Sequence, residues 1–365
     1  MKILILSDAN SIHTYRWAKS LKDKGFNIAI FSLFKDENLF SPTYKSLGIN
    51  VTASNVNRFI LYKYRRNITK LFYFFSLRKL KKSINKFNPQ IIHAHYLTSY
   101  GILAKLSGFK PYCISIWGDD VFLSTKNFIF KNLLVSSLKN AEELFSTSHA
   151  INELVQNHYG LSTTIIPFGV DPNFFKPLNK QKIKPVIIGL IKSIEPHNGI
   201  EFLIDAFNIL IKKKISNIKL NIVGTGSLEN KLKKMVKAYK LENKVNFFGH
   251  VSHHKILSHY QKLSIFVCPS SRESFGVSVI EASSTEVPVI ANKVSGLKEV
   301  VKHGETGFLL DTTETEKLAD CMERLIIDSD LRYTLGKNGR DFVIQNFNWD
   351  KNVMDMVKAY NRINK

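Results

Sequence analysis

The sequence has few cysteines and no long apolar run, and both absences narrow what the protein can be. Its three cysteines, Cys113, Cys268 and Cys321, are too scattered for a disulfide framework or a metal site, so a reducing cytosol is expected. No window approaches about 18 uninterrupted apolar residues, the length that predicts a membrane-spanning helix. The opening residues Met1 to Asp8 become polar too early for a signal peptide and predict a strand. These features favour a cytoplasmic protein.

Acidic residues are also scarce: 30 Asp and Glu stand against 52 Lys and Arg, which gives a net charge of +22. Three explanations are open, namely a composition rich in Lys, Asn and Ile, an anionic membrane surface or acceptor, and nucleic acid. The sequence contains no zinc-finger, helix-turn-helix or aromatic-platform signature. Nucleic acid is therefore not expected as a partner, and the charge alone leaves the other two explanations open.

The segment Arg58–Lys86 carries much of this charge. It contains ten Lys or Arg residues, no acid and seven aromatic residues. Apolar and aromatic side chains recur at helical spacing from Leu71 to Phe75, with lysines along the flank. A basic, aromatic helix can lie on an anionic bilayer surface. Equally, it can pack its aromatic face on a sheet and leave its charges in solvent, and the sequence leaves both alternatives open.

Strand and helix patterns alternate along the chain, which predicts parallel sheets with a site at the carboxyl ends of their strands. The first loop lacks the Gly-x-Gly-x-x-Gly fingerprint, so no dinucleotide is expected there. Several side chains of the first half are candidates for that edge of the sheet: His13, Arg16, His95, Trp117 and Asp119. No metal is expected, because the histidine pair at 93 and 95 has no third ligand nearby.

Prolines and a glycine interrupt regular structure between Thr164 and Pro177, and a polar, basic stretch follows at residues 179–184. The chain length of 365 residues suits two domains. We therefore predict an amino-terminal domain at residues 1–178 and a carboxyl-terminal domain at residues 185–348. A last amphipathic helix is predicted from Trp349 to Ile363.

The stretch Cys268–Ala282 reads Cys-Pro-Ser-Ser-Arg-Glu-Ser-Phe-Gly-Val-Ser-Val-Ile-Glu-Ala and predicts a strand end, a polar loop and a helix that begins at about Phe275. Glu273 precedes the predicted helix, and Glu281 lies in its second turn. Three backbone N–H groups at the head of this helix can bind phosphate: those of Phe275, Gly276 and Val277. From spacing alone, the two glutamates can equally complement the helix dipole in solvent.

The pattern Pro-Ser-x-x-Glu-x-Phe-Gly-x4-Glu-Ala resembles the Glu-x7-Glu motif of the retaining glycosyltransferases of family 4, which have the GT-B fold. The resemblance is strongest over residues 185–310 and weaker over the first 177. It implies an α/β protein with two Rossmann-like, doubly wound parallel-sheet domains facing a central cleft. The second domain would bind a nucleotide sugar, and the final helix (residues 349–365) would pack back on the first, acceptor-side domain. Glu281 would bind the ribose, while the catalytic candidate Glu273 would bind sugar and phosphate together with the helix amides.

The same resemblance implies further donor-side residues. The loop Gly189–Gly199 resembles the family's phosphate loop, in which Lys192, the second catalytic candidate, matches one of two cations that neutralise the donor diphosphate. The second cation is absent here, and His197 or Asn198 takes its place. Two more segments resemble those that border the nucleotide and read its base, and they contribute Gly224, Gly226, His250 and Val251.

On the acceptor side, the family often has a histidine where this chain has Trp117, so His13 or His95 would have to supply any imidazole. The resemblance implies transfer of a hexose or N-acetylhexosamine from a UDP-sugar, with retention, to a glycan or polyprenyl-linked acceptor. The expected setting is lipopolysaccharide or capsule assembly by a cytoplasmic enzyme peripheral to the membrane, without a metal or other cofactor. Two alternatives stay open: a nucleotide-sugar epimerase of the same fold, and a non-catalytic protein that binds a sugar nucleotide or a membrane surface.

Overall fold

Two parallel β-sheets form the framework of the chain. They belong to two units, Met1–Ile166 with Asn352–Lys365, and Pro167–Lys351. The computed structural model describes residues 1–34, 40–56, 71–118, 121, 128–178, 185–311 and 314–364. Helices alternate with the strands in each unit, so the predicted α/β class with two doubly wound parallel sheets is confirmed.

The described part of the first unit holds a seven-stranded sheet in the order β3-β2-β1-β4-β5-β6-β7. Its strands are β1 Lys2–Leu6, β2 Asn27–Phe34, β3 Asn50–Val56, β4 Ile91–His95, β5 Tyr112–Ile116, β6 Glu143–Ser146 and β7 Thr164–Ile165. The central strands are short apolar runs buried on both faces, as is typical of parallel strands that helices cover. The strand order reverses between β1 and β4, and loops diverge at such a point at the carboxyl ends of the strands.

The helices of the first unit pack on both faces of this sheet. They are α1 Ile12–Asp23, α2 Ser41–Ser46, α3 Leu71–Phe87, α4 Ile102–Ser107, α5 Phe128–Lys139 and α6 His149–Tyr159, with a π-helical turn at Leu97–Gly101 before α4. Leu80 and Ile84 of α3 and Leu103 of α4 join the apolar core on one face. The burial of these side chains at intervals of about one helical turn explains why α3 is held on the sheet.

The described part of the second unit holds a six-stranded sheet in the order β10-β9-β8-β11-β12-β13. Its strands are β8 Val186–Ile191, β9 Ile218–Val223, β10 Val245–Phe247, β11 Ile265–Cys268, β12 Val289–Asn292 and β13 Gly307–Leu310. Its helices are α7 Ile200–Lys212, α8 Glu229–Ala238, α9 His253–Lys262, α10 Val277–Ser284, α11 Leu297–Val300, α12 Thr315–Ile327 and α13 Ser329–Asn346, with a 3₁₀ turn at Pro196–Asn198. The strand order reverses between β8 and β11, which is where such sheets bind ligands.

The boundary between the units lies at Ile166/Pro167, earlier than the predicted domain boundary. The segment after Pro167 is held by the second unit, because the N–H of Val170 donates to Phe347 at 2.8 Å and Arg340 donates to the carbonyl of Phe175 at 3.0 Å. Breaks in regular structure predicted the end of a domain, but these long-range bonds are not visible in the local sequence. The predicted linker at residues 179–184 lies outside the described residues.

The last helix, α14 Trp349–Ile363, has the predicted bounds, and its residues from Asn352 onward belong to the first unit. The hydroxyl of Tyr360 lies 2.5 Å from Nδ1 of His93, and Arg362 forms an ion pair with Glu143 at 2.7 Å. No helix in the described ranges is both long and apolar enough to cross a bilayer.

Candidate active site

Lys192 follows β8 directly, at the carboxyl end of the second sheet. Its backbone N–H donates to Val223 at the end of β9 (2.9 Å), so the loop that starts here is tied to the neighbouring strand. Gly224 and Gly226 pack against this loop, and a Cβ at either position would collide with the carbonyl groups of Lys192 or Ile194. The two glycines therefore allow two loops to meet backbone to backbone, which any other residue would prevent.

The loop after Lys192 has one residue turned inward and one at its surface. Asn198 is fully buried, and its amide donates to the carbonyl of Ser193 at 2.8 Å while its oxygen accepts from Ser270 at 3.3 Å. His197 is partly exposed, and its carbonyl accepts the N–H of Ser271 at 2.9 Å. Of the two residues predicted in place of the second cation, the Asn198 side chain holds the loop together and only the His197 ring is accessible.

The helix of the Glu-x7-Glu motif begins at Val277, two residues later than the sequence pattern predicted. Gly276 precedes it with φ of 100°, a left-handed conformation that helical periodicity cannot reveal and that favours glycine. Among the described residues no side chain caps this helix, and its first backbone N–H groups lack partners within the helix. The ring of Phe275 is buried against Phe168 and Phe347 at 6.2 and 5.4 Å between centroids, so Phe275 anchors the helix head.

Lys192 and Glu273 form an ion pair between Nζ and Oε2, and each side chain is only 16% exposed. Glu273 lies in the loop between β11 and α10, and its carbonyl accepts the N–H of Gly296 at 3.1 Å. The fold therefore brings together the two residues that the sequence analysis selected as catalytic candidates. A cation, a carboxylate and a helix head at one edge of a sheet can together bind a group that carries both phosphate and hydroxyls.

Glu281 lies in the second turn of α10, and its Oε2 accepts a hydrogen bond from the hydroxyl of Tyr260 at 2.7 Å. Tyr260 is fully buried, and burial together with the nearby Glu281 raises the pKa of Tyr260 well above its ordinary value. Sequence reasoning did not select Tyr260. The available signal was an aromatic residue on the inward side of α9 whose hydroxyl requires a buried acceptor.

The segment predicted to read the base follows β10. The carbonyl of Gly249 accepts the N–H of Gly224 at 2.8 Å, which joins this segment to the glycine turn after β9. His250 is exposed and Val251 is half-buried. The fold thus brings the two segments predicted to border the nucleotide next to each other.

The candidates of the first unit cluster around Trp117, which follows β5. The ring of His95 lies 4.8 Å from Trp117, and the ring of His13 lies 5.7 Å from it, between centroids. Burial lowers the pKa of His95 well below its ordinary value, with smaller contributions from His93 and His13, so the imidazole is neutral. Arg16 is half-buried one turn further along α1, and Asp119 lies outside the described residues.

Nδ1 of His95 and Oγ1 of Thr147 are buried polar atoms without a hydrogen-bond partner among the described residues. His95 ends β4 and Thr147 follows β6, so both lie at the carboxyl edge of the sheet. Sequence reasoning missed Thr147, because a single threonine after a strand carries no distinguishing pattern. Within the described ranges, no three His, Cys, Asp or Glu side chains are grouped so that they could hold a metal ion.

Comparisons with known proteins show which families the chain resembles. Residues 2–148 match the family described as glycosyl transferase 4-like, and residues 171–342 match the family described as glycosyl transferases group 1. An uncharacterized glycosyltransferase of Methanocaldococcus jannaschii is 27% identical over 97% of this chain and 94% of its own length. The capsular polysaccharide biosynthesis glycosyltransferase CapM of Staphylococcus aureus is 37% identical over 44% of this chain and 42% of its own.

Among solved structures, HepE of Anabaena, crystallised with UDP and with UDP-glucose, has the same fold. The complex with UDP superposes with a TM-score of 0.81 and the complex with UDP-glucose with 0.80, each at 19% identity and covering 99% of this chain and 100% of its own. The two family matches together span both units and include the Lys192–Glu273 pair. The chain therefore has a carboxyl-terminal part of the group 1 glycosyl transferase family and an amino-terminal part of the glycosyl transferase 4-like family, and it is a glycosyltransferase.

Proposed function

We propose that this enzyme transfers a sugar from a UDP-sugar, with retention at the anomeric carbon, to a glycan or polyprenyl-linked acceptor in surface polysaccharide assembly. The observation that carries the proposal is the ion pair of Lys192 and Glu273 beside the head of α10. A nucleotide sugar presents a diphosphate next to sugar hydroxyls, and this pair of side chains offers a matching cation and acceptor.

In this proposal Lys192 exchanges Glu273 for the diphosphate when the donor binds. The N–H groups at the head of α10 bind the same phosphates, because the helix dipole favours an anion there. Glu273 then accepts hydrogen bonds from hydroxyls of the transferred sugar. His197 is the accessible residue near the missing second cation and adds positive charge when it is protonated.

The proposed reaction breaks the bond between the anomeric carbon and the β-phosphate oxygen, and the electron pair leaves with UDP. The acceptor oxygen forms the new glycosidic bond on the face that the phosphate leaves, and its proton passes to the departing phosphate oxygen. Lys192 and the helix amides stabilise the charge that develops on the leaving group, a contribution that typically amounts to about 3 kcal/mol for each lost donor. In this scheme no metal is required.

The choice of UDP rests on Glu281, the base-reading segment and the fold shared with HepE. Glu281 would bind the ribose hydroxyls, and the backbone of His250 and Val251 would read the base. HepE has been crystallised with UDP and UDP-glucose, which supports a uridine donor for this chain by analogy of fold. The setting in surface polysaccharide assembly is supported by the similarity to CapM.

For the acceptor we assign the cluster around Trp117 in the first unit. The neutral imidazole of His95 can accept a hydrogen bond from a sugar hydroxyl, and an indole ring can pack against the apolar face of a pyranose. A polyprenyl-linked acceptor would bring the enzyme to the inner face of the cell membrane. The outward side of α3 fits such a surface, since Phe75 is 79% exposed and Arg78, Lys79, Lys82 and Lys86 are exposed around it.

The test is an incubation of the enzyme with UDP-glucose, UDP-N-acetylglucosamine, UDP-galactose or GDP-mannose and with lipid-linked or oligosaccharide acceptors. We expect free UDP and an extended glycan, with the donor's anomeric configuration preserved in the nuclear magnetic resonance spectrum. Release of GDP alone would contradict the assigned base, and an inverted linkage would contradict retention. A changed sugar still attached to its nucleotide would contradict transfer itself.

A further inference from the structure

Tyr260 lies near the end of α9 and points into the second unit. Its side chain is fully buried, and its ring packs against Phe175 at 5.8 Å and Phe266 at 5.9 Å between centroids. The two aromatic neighbours leave the ring little freedom to turn. A buried tyrosine hydroxyl must find an acceptor, and here the acceptor is the carboxylate of Glu281 on a different helix.

We infer that Tyr260 is a positioning residue of the donor site, whose buried hydroxyl holds the carboxylate of Glu281 in the orientation that binds the ribose diol of a nucleoside diphosphate. The inference rests on the proposed function, because that proposal assigns ribose binding to Glu281. Tyr260 itself acts through Glu281 and does not touch the donor.

The hydrogen bond between Tyr260 and Glu281 joins the interior of the second unit to a residue that is partly exposed at its surface. Glu281 is half-buried, and its Oε2 accepts from the Tyr260 hydroxyl at 2.7 Å, within the range of a charge-assisted hydrogen bond. A free glutamate side chain populates several rotamers, and binding would have to select one of them. Tyr260 fixes one rotamer of Glu281 before the donor arrives. Donor binding therefore does not have to supply the entropy cost of ordering this side chain. A carboxylate has several acceptor positions, so the bond from Tyr260 is compatible with bonds from ribose hydroxyls.

Burial and the negative charge of Glu281 keep the hydroxyl of Tyr260 protonated, since both raise the pKa of Tyr260. The hydroxyl therefore remains a donor at neutral pH. The ribose lies away from the bond that breaks, so the contact between Glu281 and the ribose contributes equally to binding in the ground state and in the transition state. Loss of such a contact raises KM for the donor and leaves kcat nearly unchanged.

The experiment combines one change in the protein, Tyr260→Phe, with one change in the ligand, removal of the ribose diol. Wild type and Tyr260→Phe are titrated by calorimetry with UDP and with 2′,3′-dideoxy-UDP, or with the GDP pair if wild type prefers GDP. We expect Tyr260→Phe to weaken UDP binding about tenfold, the range for a hydrogen bond to a charged group. Binding of the dideoxy nucleotide, which lacks the diol, should be nearly the same in both proteins.

The matched control is Tyr112→Phe in the first unit. Tyr112 is also buried, and its hydroxyl donates to the carbonyl of Ser137 at 2.8 Å. This variant loses a comparable buried hydrogen bond and should bind both nucleotides as wild type does. In turnover assays only Tyr260→Phe should show a raised donor KM with an almost unchanged kcat.

Three results would overturn the inference: equal weakening of both nucleotides by Tyr260→Phe, no weakening of either, or a fall in kcat without a change in KM. If Tyr260→Phe does not fold, a crystal structure of wild type with UDP decides, because Glu281 must then bridge the Tyr260 hydroxyl and the ribose diol. A wild type that binds neither UDP nor GDP would instead contradict the proposed function, and the two failures are thereby distinguished.

Discussion

At the scale of single residues, the proposed donor site depends on a lysine and a glutamate that form an ion pair with each other. Lys192 follows β8 and Glu273 precedes α10, and the pair is largely shielded from solvent. Shielding matters because an ion pair in water contributes little, whereas a partly buried charge must retain a partner. A diphosphate is a better partner for Lys192 than one carboxylate, since it offers more oxygens and more charge. The proposed exchange of partners would therefore favour donor binding.

Replacement of Lys192 by Ala should lower kcat/KM for the donor by about 10²- to 10³-fold, as for the loss of one donor to a developing oxyanion. Lys192→Arg keeps the charge and should retain much more activity. Lys213→Ala is the matched control, because Lys213 also forms ion pairs in the second unit, with Asp320 at 2.9 Å and Glu323 at 2.7 Å. Steady-state kinetics with a donor series measures all three. Equal losses in Lys192→Ala and Lys213→Ala would contradict the assigned role.

Buried histidines make the first unit sensitive to acid. Burial lowers the pKa of His93 from 6.5 to about 3, and its ring nitrogens bond the hydroxyls of Tyr360 (2.5 Å) and Ser115 (2.8 Å). A pKa that is lower in the folded state means that the unfolded chain binds more protons. Stability is therefore complete above pH 6.5 and declines as pH falls toward 3, by up to about 5 kcal/mol for His93 alone.

His93→Gln should accordingly have a lower free energy of unfolding at pH 7 but a weaker dependence on pH between 6.5 and 4. The lower stability reflects the loss of a buried hydrogen-bonded ring, and the weaker dependence reflects the loss of a proton-binding site in the unfolded chain. Urea unfolding followed by circular dichroism at several pH values measures both quantities. The exposed His158 supplies the control variant, His158→Gln. An unchanged pH dependence in His93→Gln would refute the argument.

At the scale of elements, a helix was predicted correctly where its local pattern alone sets its bounds, and the deviations have physical causes. The last helix has the bounds predicted from its pattern, because its amphipathic spacing is uninterrupted. The start of α10 was predicted two residues early, since Gly276 adopts a left-handed conformation that periodicity does not encode. The inward turn of Asn198 and the bond from Tyr260 to Glu281 depend on contacts between distant segments. No local pattern could have predicted either of them.

The described part of α3 packs on the sheet and leaves its charges in solvent, and the alternative that it also lies on an anionic bilayer stays a prediction. Leu80 and Ile84 pack into the core, while Phe75 and the basic residues point outward. We expect binding to vesicles that contain phosphatidylglycerol and weaker binding to neutral vesicles. The double variant Arg78→Glu with Lys82→Glu should bind anionic vesicles more than tenfold more weakly, because each charge near the surface contributes about 1 kcal/mol. Vesicle sedimentation measures the difference.

The control for this prediction changes the same net charge elsewhere. Lys234 and Lys237 are exposed on the lysine-rich helix α8 of the second unit, and their double change to Glu leaves α3 intact. This control should retain most of the binding to anionic vesicles. Equal losses in the two double variants would mean that overall charge, and not α3, determines the attraction. If vesicle binding does not depend on anionic lipid, the predicted role of α3 in membrane binding is wrong, and α3 only packs on the sheet.

At the scale of the whole molecule, the alternation of strands and helices was sufficient to predict two parallel-sheet units. The division at Ile166/Pro167 was not predicted, because it depends on bonds between the segment after Pro167 and the distant residues Phe347 and Arg340. The donor candidates, by contrast, could be selected from the sequence, because its motifs resemble those of the family 4 glycosyltransferases, and most of them lie in loops that follow a strand or at the start of a helix. Parallel sheets collect such residues at one edge, so knowledge of the strand order is enough to bring them together.

The chain carries an excess of positive charge, so its own cations can neutralise a diphosphate without a metal ion. The last prediction tests this. If Lys192 and the head of α10 neutralise the diphosphate, prolonged dialysis against EDTA should leave turnover nearly unchanged. Added salt should lower turnover instead, because screening weakens the attraction between the donor and the protein's cations. The decisive comparison adds Mg²⁺ after EDTA treatment. A wild type that loses activity in EDTA and regains it with Mg²⁺ would mean that a metal ion neutralises the leaving group, and the assignment of that role to Lys192 and the helix amides would then be wrong.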